Sequence, residues 1–162
     1  MAYVFRPAKQ GEIDAVFSLF EKRIQWMDRE EIRQWNVTDY LAVYPKSYYQ
    51  QQQAKGNLYV LTGDTIVRAV VLLQNDERWQ DRSDSRAFYV HNLVTDPSVK
   101  GVGKRMLTEI ENTARLHKKQ YVRLDCAVDN DFLNQYYASA GYALAGQCQD
   151  GPYTGNRREK KL

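Results

Sequence analysis

A pair of glycines, Gly101 and Gly103, stands between an alternating apolar segment and a segment with helical periodicity. Glycines at the start of a helix let the backbone approach an anion closely, and the first N–H groups of a helix have no intrahelical partner. Lys104 and Arg105 add positive charge just inside this helix. The stretch lacks the ending of a Walker loop, and Met106 stands where the dinucleotide-binding fingerprint needs a third glycine. The residues alone therefore predict either a phosphate-binding loop or a tight turn.

A second patterned stretch begins with Asn130, continues through an amphipathic segment that contains Tyr136 and Tyr137, and ends with Gly141-Tyr142. Asn130 is a typical helix N-cap, and Gly141 is a typical helix end. The two tyrosines are either core aromatics on a helix face or a source of a general acid. A phenol has an ordinary pKa of about 10, so it is protonated and able to donate at neutral pH.

Together, the two stretches resemble the GNAT acyltransferases, which are N-acetyltransferases that use acetyl-coenzyme A. That family marks its cofactor loop with Gln/Arg-x-x-Gly-x-Gly/Ala, which corresponds here to residues 98–103, with Ser98 at the first position. The family's second signature is an Asn, then a helix bearing a Tyr, then Gly-Phe/Tyr. The spacing from Asn130 through Tyr137 to Gly141-Tyr142 matches it, and the resemblance is strong over residues 87–142.

The resemblance implies a binding mode for acetyl-CoA as co-substrate and a direct attack by the amine, with no acyl-enzyme and no metal. The fourth strand would diverge from the fifth, and the backbone of Leu93, Val94 and Thr95 would line the pantetheine arm. One N–H there would polarise the thioester carbonyl. Asn130 would bond the pantetheine arm or position its helix, and Tyr137 would protonate the departing thiolate. The pyrophosphate would sit on the amides of Val99, Lys100, Gly101, Val102, Gly103 and Lys104.

The general base has to be sought among the remaining titratable residues. His91 lies in the fourth strand on the same face as Tyr89 and Leu93, and an imidazole titrates near pH ~6.5. It either takes the amine proton, directly or through water, or is a packed strand residue. Asp125 is either a structural partner of Arg123 or part of the acceptor site.

The acceptor site is expected from the first helices and from the loops after Trp35 and Trp79. Aromatic side chains are frequent in the first of these regions, and they either pack the helices onto the sheet or form a cage over an ammonium group. Nearby carboxylates either attract an amine or form a solvated helix face. The aromatic residues are Trp26, Trp35, Tyr40, Tyr44, Tyr48 and Tyr49, and the acidic ones are Asp28, Glu30, Glu31 and Asp39.

Apolar periodicity predicts an α/β (mixed α+β) fold. The resemblance implies a GNAT-like central sheet, mixed but mostly antiparallel, of about six or seven strands flanked by about four helices. Residues 76–86 are predicted to be a polar loop that holds Trp79. The predicted strands are 3–6, 58–61, 66–73, 88–94, 122–128, 142–147 and 157–162, and the predicted helices include 13–27, 47–54, 102–114 and 130–140.

Length and composition limit what can be expected of domain number, binding partners, cellular location and the two cysteines. A chain of 162 residues predicts one domain, which the resemblance identifies as a GNAT acyltransferase domain over 1–162. A net charge of +3 is too small to favour nucleic acid as the partner. Neither a membrane span nor a signal peptide is apparent in the sequence. Cys126 and Cys148 are too few for a disulfide scaffold or a metal cluster, and they favour a cytoplasmic location. Either thiol is expected to be a small buried group or a loop residue, not a catalytic nucleophile.

The sequence therefore predicts a cytoplasmic N-acetyltransferase that acts on the primary amine of a small molecule or amino acid, as a monomer or homodimer. Acetylation of a peptide or protein amine is the alternative acceptor. A non-catalytic acyl-CoA-binding or regulatory domain of the same fold is the alternative function.

Overall fold

The computed structural model describes residues 2–162 and confirms the mixed α/β fold. This part of the chain forms seven strands: β1 (Val4–Pro7), β2 (Leu58–Thr62), β3 (Ile66–Leu73), β4 (Ala87–Thr95), β5 (Tyr121–Ala127), β6 (Ala143–Asp150) and β7 (Tyr153–Lys161). It also forms five α-helices: α1 (Ile13–Arg29), α2 (Tyr40–Val43), α3 (Lys46–Ala54), α4 (Gly103–Leu116) and α5 (Asp131–Ser139). None of the helices within 2–162 is long and apolar enough to cross a membrane.

The strands follow the order β1-β2-β3-β4-β5-β7-β6 in a single sheet. Pairing is antiparallel between β1 and β2, β2 and β3, β5 and β7, and β6 and β7. Only the β4–β5 register among these described pairs is parallel, from Ala87↔Tyr121 to Tyr89↔Arg123. The parallel ladder thus spans three pairs, although β4 continues to Thr95 and β5 to Ala127.

The chain divides into two compact units. The first contains the residues up to Val71 together with Asn92–Leu107, and the second contains Leu72–His91 and Thr108–Leu162. The expectation of a single domain over 1–162 stays a prediction.

The core of the first unit is built from α1 and from the buried strands β2 and β3. Apolar residues recur at three- and four-residue steps along α1, so they share one face of the helix, which is buried. Phe20 from this face packs against the rings of Trp35, Tyr40 and Tyr49, with ring centroids 5.6, 5.7 and 4.9 Å away. The buried residues of α1 are Ile13, Val16, Leu19, Phe20 and Met27.

The core of the second unit includes Trp79, and this finding corrects the predicted polar loop. The segment Glu77–Arg82 is a short 3₁₀ helix, and the Trp79 side chain is fully buried. The guanidinium groups of Arg123 and Arg157 lie 4.7 and 5.1 Å from the indole centroid, within cation–π range. Trp79 is therefore a core residue of this unit, and the expectation that the loop after it lines the acceptor site stays a prediction.

Both arginines have charged partners, which makes their burial tolerable. Arg123 Nε donates to Glu159 Oε2 at 2.7 Å, and its Nη1 donates to Tyr89 Oη at 3.0 Å. Arg157 makes a bidentate contact with the Asp81 carboxylate. Of the two alternatives left open for Asp125, the structure does not show the pairing with Arg123, because Arg123 binds Glu159, the residue opposite it on β7.

An ion pair between Arg6 and Glu12 at the end of β1 gives a pH-dependent contribution to stability. Arg6 Nη1 and Nη2 donate to the two carboxylate oxygens of Glu12 at 2.9 and 2.8 Å. These bonds from Arg6 lower the pKa of Glu12 from 4.5 to about 2. Because the folded-state pKa is the lower one, the contribution is present above pH 4.5 and is lost as the pH falls towards 2.

We expect Glu12→Gln to lower the free energy of unfolding by about 1 kcal/mol at neutral pH, a value reduced by partial solvent exposure of the pair. The loss should shrink as the pH is lowered through this window, since protonation removes the same charge from Glu12. Urea denaturation at neutral and at acid pH measures both values. Asp14→Asn is the matched control, because the Asp14 side chain is 85% exposed. A loss of equal size at both pH values would contradict the assignment.

Candidate active site

The turn at Gly101, between β4 and α4, is exposed, and its backbone conformation would be strained for a residue with a Cβ. Gly101 has φ +77°, a left-handed conformation that glycine adopts without steric penalty. It is exposed, and no atom lies within 4 Å of the position that a Cβ would take. Gly103 is the first residue of α4, and the Val102 carbonyl accepts from Met106 N at 3.1 Å.

The amides that follow this turn are available to an outside acceptor. Gly103 and Lys104 open α4, so their N–H groups have no intrahelical acceptor. Among the turns and loops of the described residues, no backbone acceptor takes the N–H groups of Gly101 and Val102. They lie at the positive end of the α4 dipole, and the Lys104 side chain next to them is exposed. An open turn, unpaired amides and positive charge at one helix end fit a phosphate group.

The turn before this loop is held by Asp96. Its carboxylate accepts from Ser98 N at 2.9 Å and from Ser98 Oγ at 2.7 Å, and its carbonyl accepts from Val99 N at 3.1 Å. Burial by itself raises the pKa of Asp96, but the Ser98 bonds and Lys22 outweigh burial, so the pKa is lowered. In this structure the Val99 amide is bonded to the Asp96 carbonyl, and its use for a phosphate stays a prediction.

The strand residues that precede this turn also lie in the first unit. Val94 is buried, whereas Leu93 and Thr95 are half-buried. The preceding residue, Asn92, has φ +51° inside the strand, and its side chain bonds the hydroxyls of Tyr40 and Tyr48. Sequence reasoning missed Asn92, since nothing in its neighbourhood marks a left-handed residue.

The remaining predicted site residues, His91, Asn130 and Tyr137, belong to the second unit. His91 Nε2 lies 3.8 Å from Asp76 Oδ2, and the two side chains are 12% and 6% exposed. Asp76 was not identified from the sequence. The imidazole and this carboxylate are within ion-pairing distance of each other, and the role of His91 as proton acceptor stays a prediction.

Asn130 is the N-cap of α5, which confirms the capping prediction. Its Oδ1 accepts from Leu133 N at 3.0 Å. The neighbouring Asn134 was missed from the sequence: its Nδ2 donates to the carbonyls of Ala127 and Asn130 at 3.0 Å, and its Oδ1 accepts from Asn156 at 2.9 Å. The start of α5 is thus tied to the ends of β5 and β7.

Tyr137 is buried on α5, with 8% of its surface exposed. It makes edge contacts with the rings of Tyr136 and Tyr142, at 5.4 and 6.1 Å. Tyr142 donates to Glu111 at 2.9 Å, and Lys160 binds the other oxygen of that carboxylate at 3.0 Å. Burial is the main cause that raises the pKa of Tyr142, which therefore stays protonated. The Tyr142 ring beside Tyr137 is therefore held by a hydrogen bond and carries no charge.

The contacts of the other candidate residues, Asp125, Cys126 and Cys148, favour a structural role for each. Asp125 binds Arg78 at 3.1 Å and accepts from Tyr153 Oη at 2.6 Å. Cys126 and Cys148 are both buried, and burial raises the pKa of each thiol, so neither is an activated nucleophile. Within residues 2–162, no group of three or more His, Cys, Asp or Glu side chains is arranged to hold a metal ion.

The aromatic residues of the first unit pack largely against each other. The ring centroids of Tyr40 and Trp35 are 4.4 Å apart, and Tyr44 lies 4.9 Å from both Tyr40 and Tyr48. Tyr48 and Tyr49 continue the series at 5.1 Å. We refer to the segment from Trp35 to Tyr49 as the aromatic segment. These contacts favour packing over an open cage for a cation.

Comparisons with known proteins agree with the motifs and the fold. The profile of a family described as "Acetyltransferase (GNAT) family" matches residues 25–142. A Bacillus subtilis (strain 168) protein described as "Uncharacterized N-acetyltransferase YesJ" is 25% identical over 153 residues, which are 90% of this chain and 84% of that protein. A GNAT-family acetyltransferase structure from Listeria monocytogenes 4b F2365 has a TM-score of 0.81 at 20% identity, covering 99% of this chain and 95% of its own. PaiA N-acetyltransferase from Thermoplasma acidophilum, solved in complex with coenzyme A, has a TM-score of 0.78 at 15% identity, with full coverage (100%) of both chains.

Proposed function

Because the chain belongs to the GNAT acetyltransferase family, we propose that it transfers an acetyl group from acetyl-CoA to the primary amine of a small molecule or an amino acid in the cytoplasm. The open glycine turn at the start of α4 carries this proposal. Gly101 at φ +77° and the unpaired amides after it fit a diphosphate. The coenzyme A complex of PaiA, which shares the fold, supports the choice of ligand.

The first unit supplies the residues that would hold the co-substrate. The amides of Gly101, Val102, Gly103 and Lys104 would receive the pyrophosphate, with the exposed side chains of Lys100 and Lys104 adding charge. The backbone of residues 93–95 would line the pantetheine arm, and one of its N–H groups would polarise the carbonyl that the amine attacks. The bound co-substrate supplies the thioester, which is the acetyl donor.

The proposed base and acid are His91 and Tyr137. His91 takes a proton from the amine, and Asp76, 3.8 Å from its Nε2, balances the positive charge that the imidazole gains. Tyr137 gives a proton to the departing thiolate, for which a buried phenol beside neutral aromatic rings is suited. Asn130 keeps α5, which carries Tyr137, in place through its cap.

Replacing Tyr137 by phenylalanine tests the acid role. We expect kcat to fall about 100-fold, which is the lower range for loss of a general acid, while the Kd for CoA stays within about twofold. Tyr136→Phe is the matched control, because it removes a hydroxyl one position earlier on the same helix. Steady-state kinetics and calorimetry with CoA measure the two quantities. Equal kcat values for the two variants would remove Tyr137 from the mechanism.

The proposed function as a whole is tested by binding and by turnover. CoA and acetyl-CoA should raise the thermal midpoint of the protein, because a ligand that binds only the folded state stabilises it. Thiol release should then be seen with at least one member of a panel of alkyl amines, polyamines, amino acids and a peptide N-terminus. No thermal shift at millimolar CoA would refute the proposal. A shift without thiol release from any amine would favour a binding domain without catalytic activity.

A further inference from the structure

Asn92 interrupts the regular backbone of β4 at a buried position. Its φ of +51° lies in the left-handed region, although the residue is in the middle of the strand Ala87–Thr95. A side chain with a Cβ is seldom found in this conformation, and asparagine tolerates it better than most residues. A left-handed residue turns the peptide group that follows it away from the direction of a regular strand. The orientation of the Leu93 N–H therefore depends on the conformation of Asn92.

The Asn92 side chain is held at both of its polar atoms by the aromatic segment. Tyr48 Oη donates to Asn92 Oδ1 at 2.7 Å, and Asn92 Nδ2 donates to Tyr40 Oη at 2.6 Å. Asn92 is 9% exposed, so both bonds form largely away from water. Burial raises the pKa of Tyr40, which keeps its oxygen a neutral acceptor. Neither aspartate, which has no donor, nor leucine would satisfy both tyrosines.

This arrangement connects the first helices, where the sequence predicts the acceptor site, with the strand backbone to which the proposed function assigns the thioester. Tyr40 begins α2 and Tyr48 lies in α3, in the segment where the acceptor is expected, whereas Leu93–Thr95 follow Asn92 directly. We propose that Asn92 is a positioning residue. Hydrogen bonds with Tyr40 and Tyr48 hold its side chain, and its backbone conformation orients the amides of Leu93–Thr95 towards the acetyl carbonyl. This inference rests on the proposed acetyltransferase function. Asn92 acts through the strand backbone and touches neither substrate.

Variants that leave the ring packing and the backbone conformation intact separate this role from a structural one. Tyr48→Phe and Tyr40→Phe keep the aromatic rings and remove one hydroxyl each. Asn92→Gly keeps access to the left-handed conformation and removes the amide side chain. Tyr44→Phe is the comparison variant, because it removes the hydroxyl of a ring in the same series and leaves the hydroxyls of Tyr40 and Tyr48 in place.

The readouts are kcat and KM for acetyl transfer to the panel amine that the wild type acetylates fastest, the Kd for CoA, and the thermal midpoint. We expect Asn92→Gly, Tyr40→Phe and Tyr48→Phe each to lower kcat about tenfold or more, with Kd for CoA within about twofold. Tyr48→Phe should lower kcat little further in the Asn92→Gly background, because the two residues act as one unit.

Three results would overturn the inference. One is a kcat within about twofold of the wild type for both Tyr48→Phe and Asn92→Gly, even if their thermal midpoints fall. Another is an additive loss in the double variant, which would show that the residues act independently. A wild type that binds CoA and transfers no acetyl group would refute the inference together with the proposed function, whereas the first two outcomes leave the proposed function intact.

Discussion

Replacing Gly101 by glutamate should abolish the binding of acetyl-CoA. A glutamate at this turn places a side chain and a negative charge in front of the amides of Val102, Gly103 and Lys104, where a diphosphate would lie. We expect the Kd for CoA to rise at least about 100-fold, which corresponds to about 3 kcal/mol. Calorimetry measures the Kd, and the thermal shift caused by CoA gives an independent value.

The chain contains a closely matched control for this substitution. Gly56, at the end of α3, has φ +76° against +77° for Gly101, and at both positions nothing lies within 4 Å of an added Cβ. Glutamate at either position therefore meets the same backbone strain, about 1–2 kcal/mol, and changes the net charge equally. Only Gly101→Glu should lose CoA binding. Equal Kd values for the two variants would show that the co-substrate does not use this turn.

Trp79→Ala should produce a larger loss of stability than any other substitution considered above. The Trp79 indole is fully buried between the Arg123 and Arg157 guanidinium groups. Its removal leaves a cavity, which costs about 3–5 kcal/mol for a large aromatic side chain. The two cations also lose the ring that lies against them, a further contribution of about 1 kcal/mol. Urea denaturation followed by circular dichroism measures the difference.

Trp79→Phe separates the two contributions. Phenylalanine keeps an aromatic face for Arg123 and Arg157, so the loss should be well below that of Trp79→Ala. Phe88→Ala, a buried aromatic on β4, provides the cavity effect at another site of the same unit. A Trp79→Ala variant that is less than about 1 kcal/mol below the wild type would contradict the packing described here.

The parts of the fold and site that follow from local chemistry could be predicted from the sequence. The N-cap at Asn130 needs only a side-chain acceptor three residues before a free amide, and the structure has that bond. The turn at position 101 needs only a residue that tolerates a positive φ, and Gly101 has a φ of +77° in the structure. The helix α4 buries the apolar face that its periodicity predicts, including Met106 and Ile110.

The parts that were wrong or missed depend on pairings between distant residues. Asn92 binds Tyr48 and Tyr40, which are 44 and 52 residues away, so no spacing pattern points to the contact. Trp79 was assigned to a polar loop because charged residues surround it in the sequence. Its burial depends on Arg123 and Arg157, arginines on two later strands.

The burial of Cys126 and Cys148 has a practical consequence. Thiolate, not thiol, attacks aromatic disulfide reagents, and both burial and a raised pKa suppress the thiolate form. The folded protein should therefore consume such a colorimetric reagent slowly, so that the colour produced during turnover comes from the liberated pantetheine sulfur. Acetyl transfer can accordingly be followed continuously in one cuvette, without quenching, and a burst of colour on adding denaturant would count the two protected side chains.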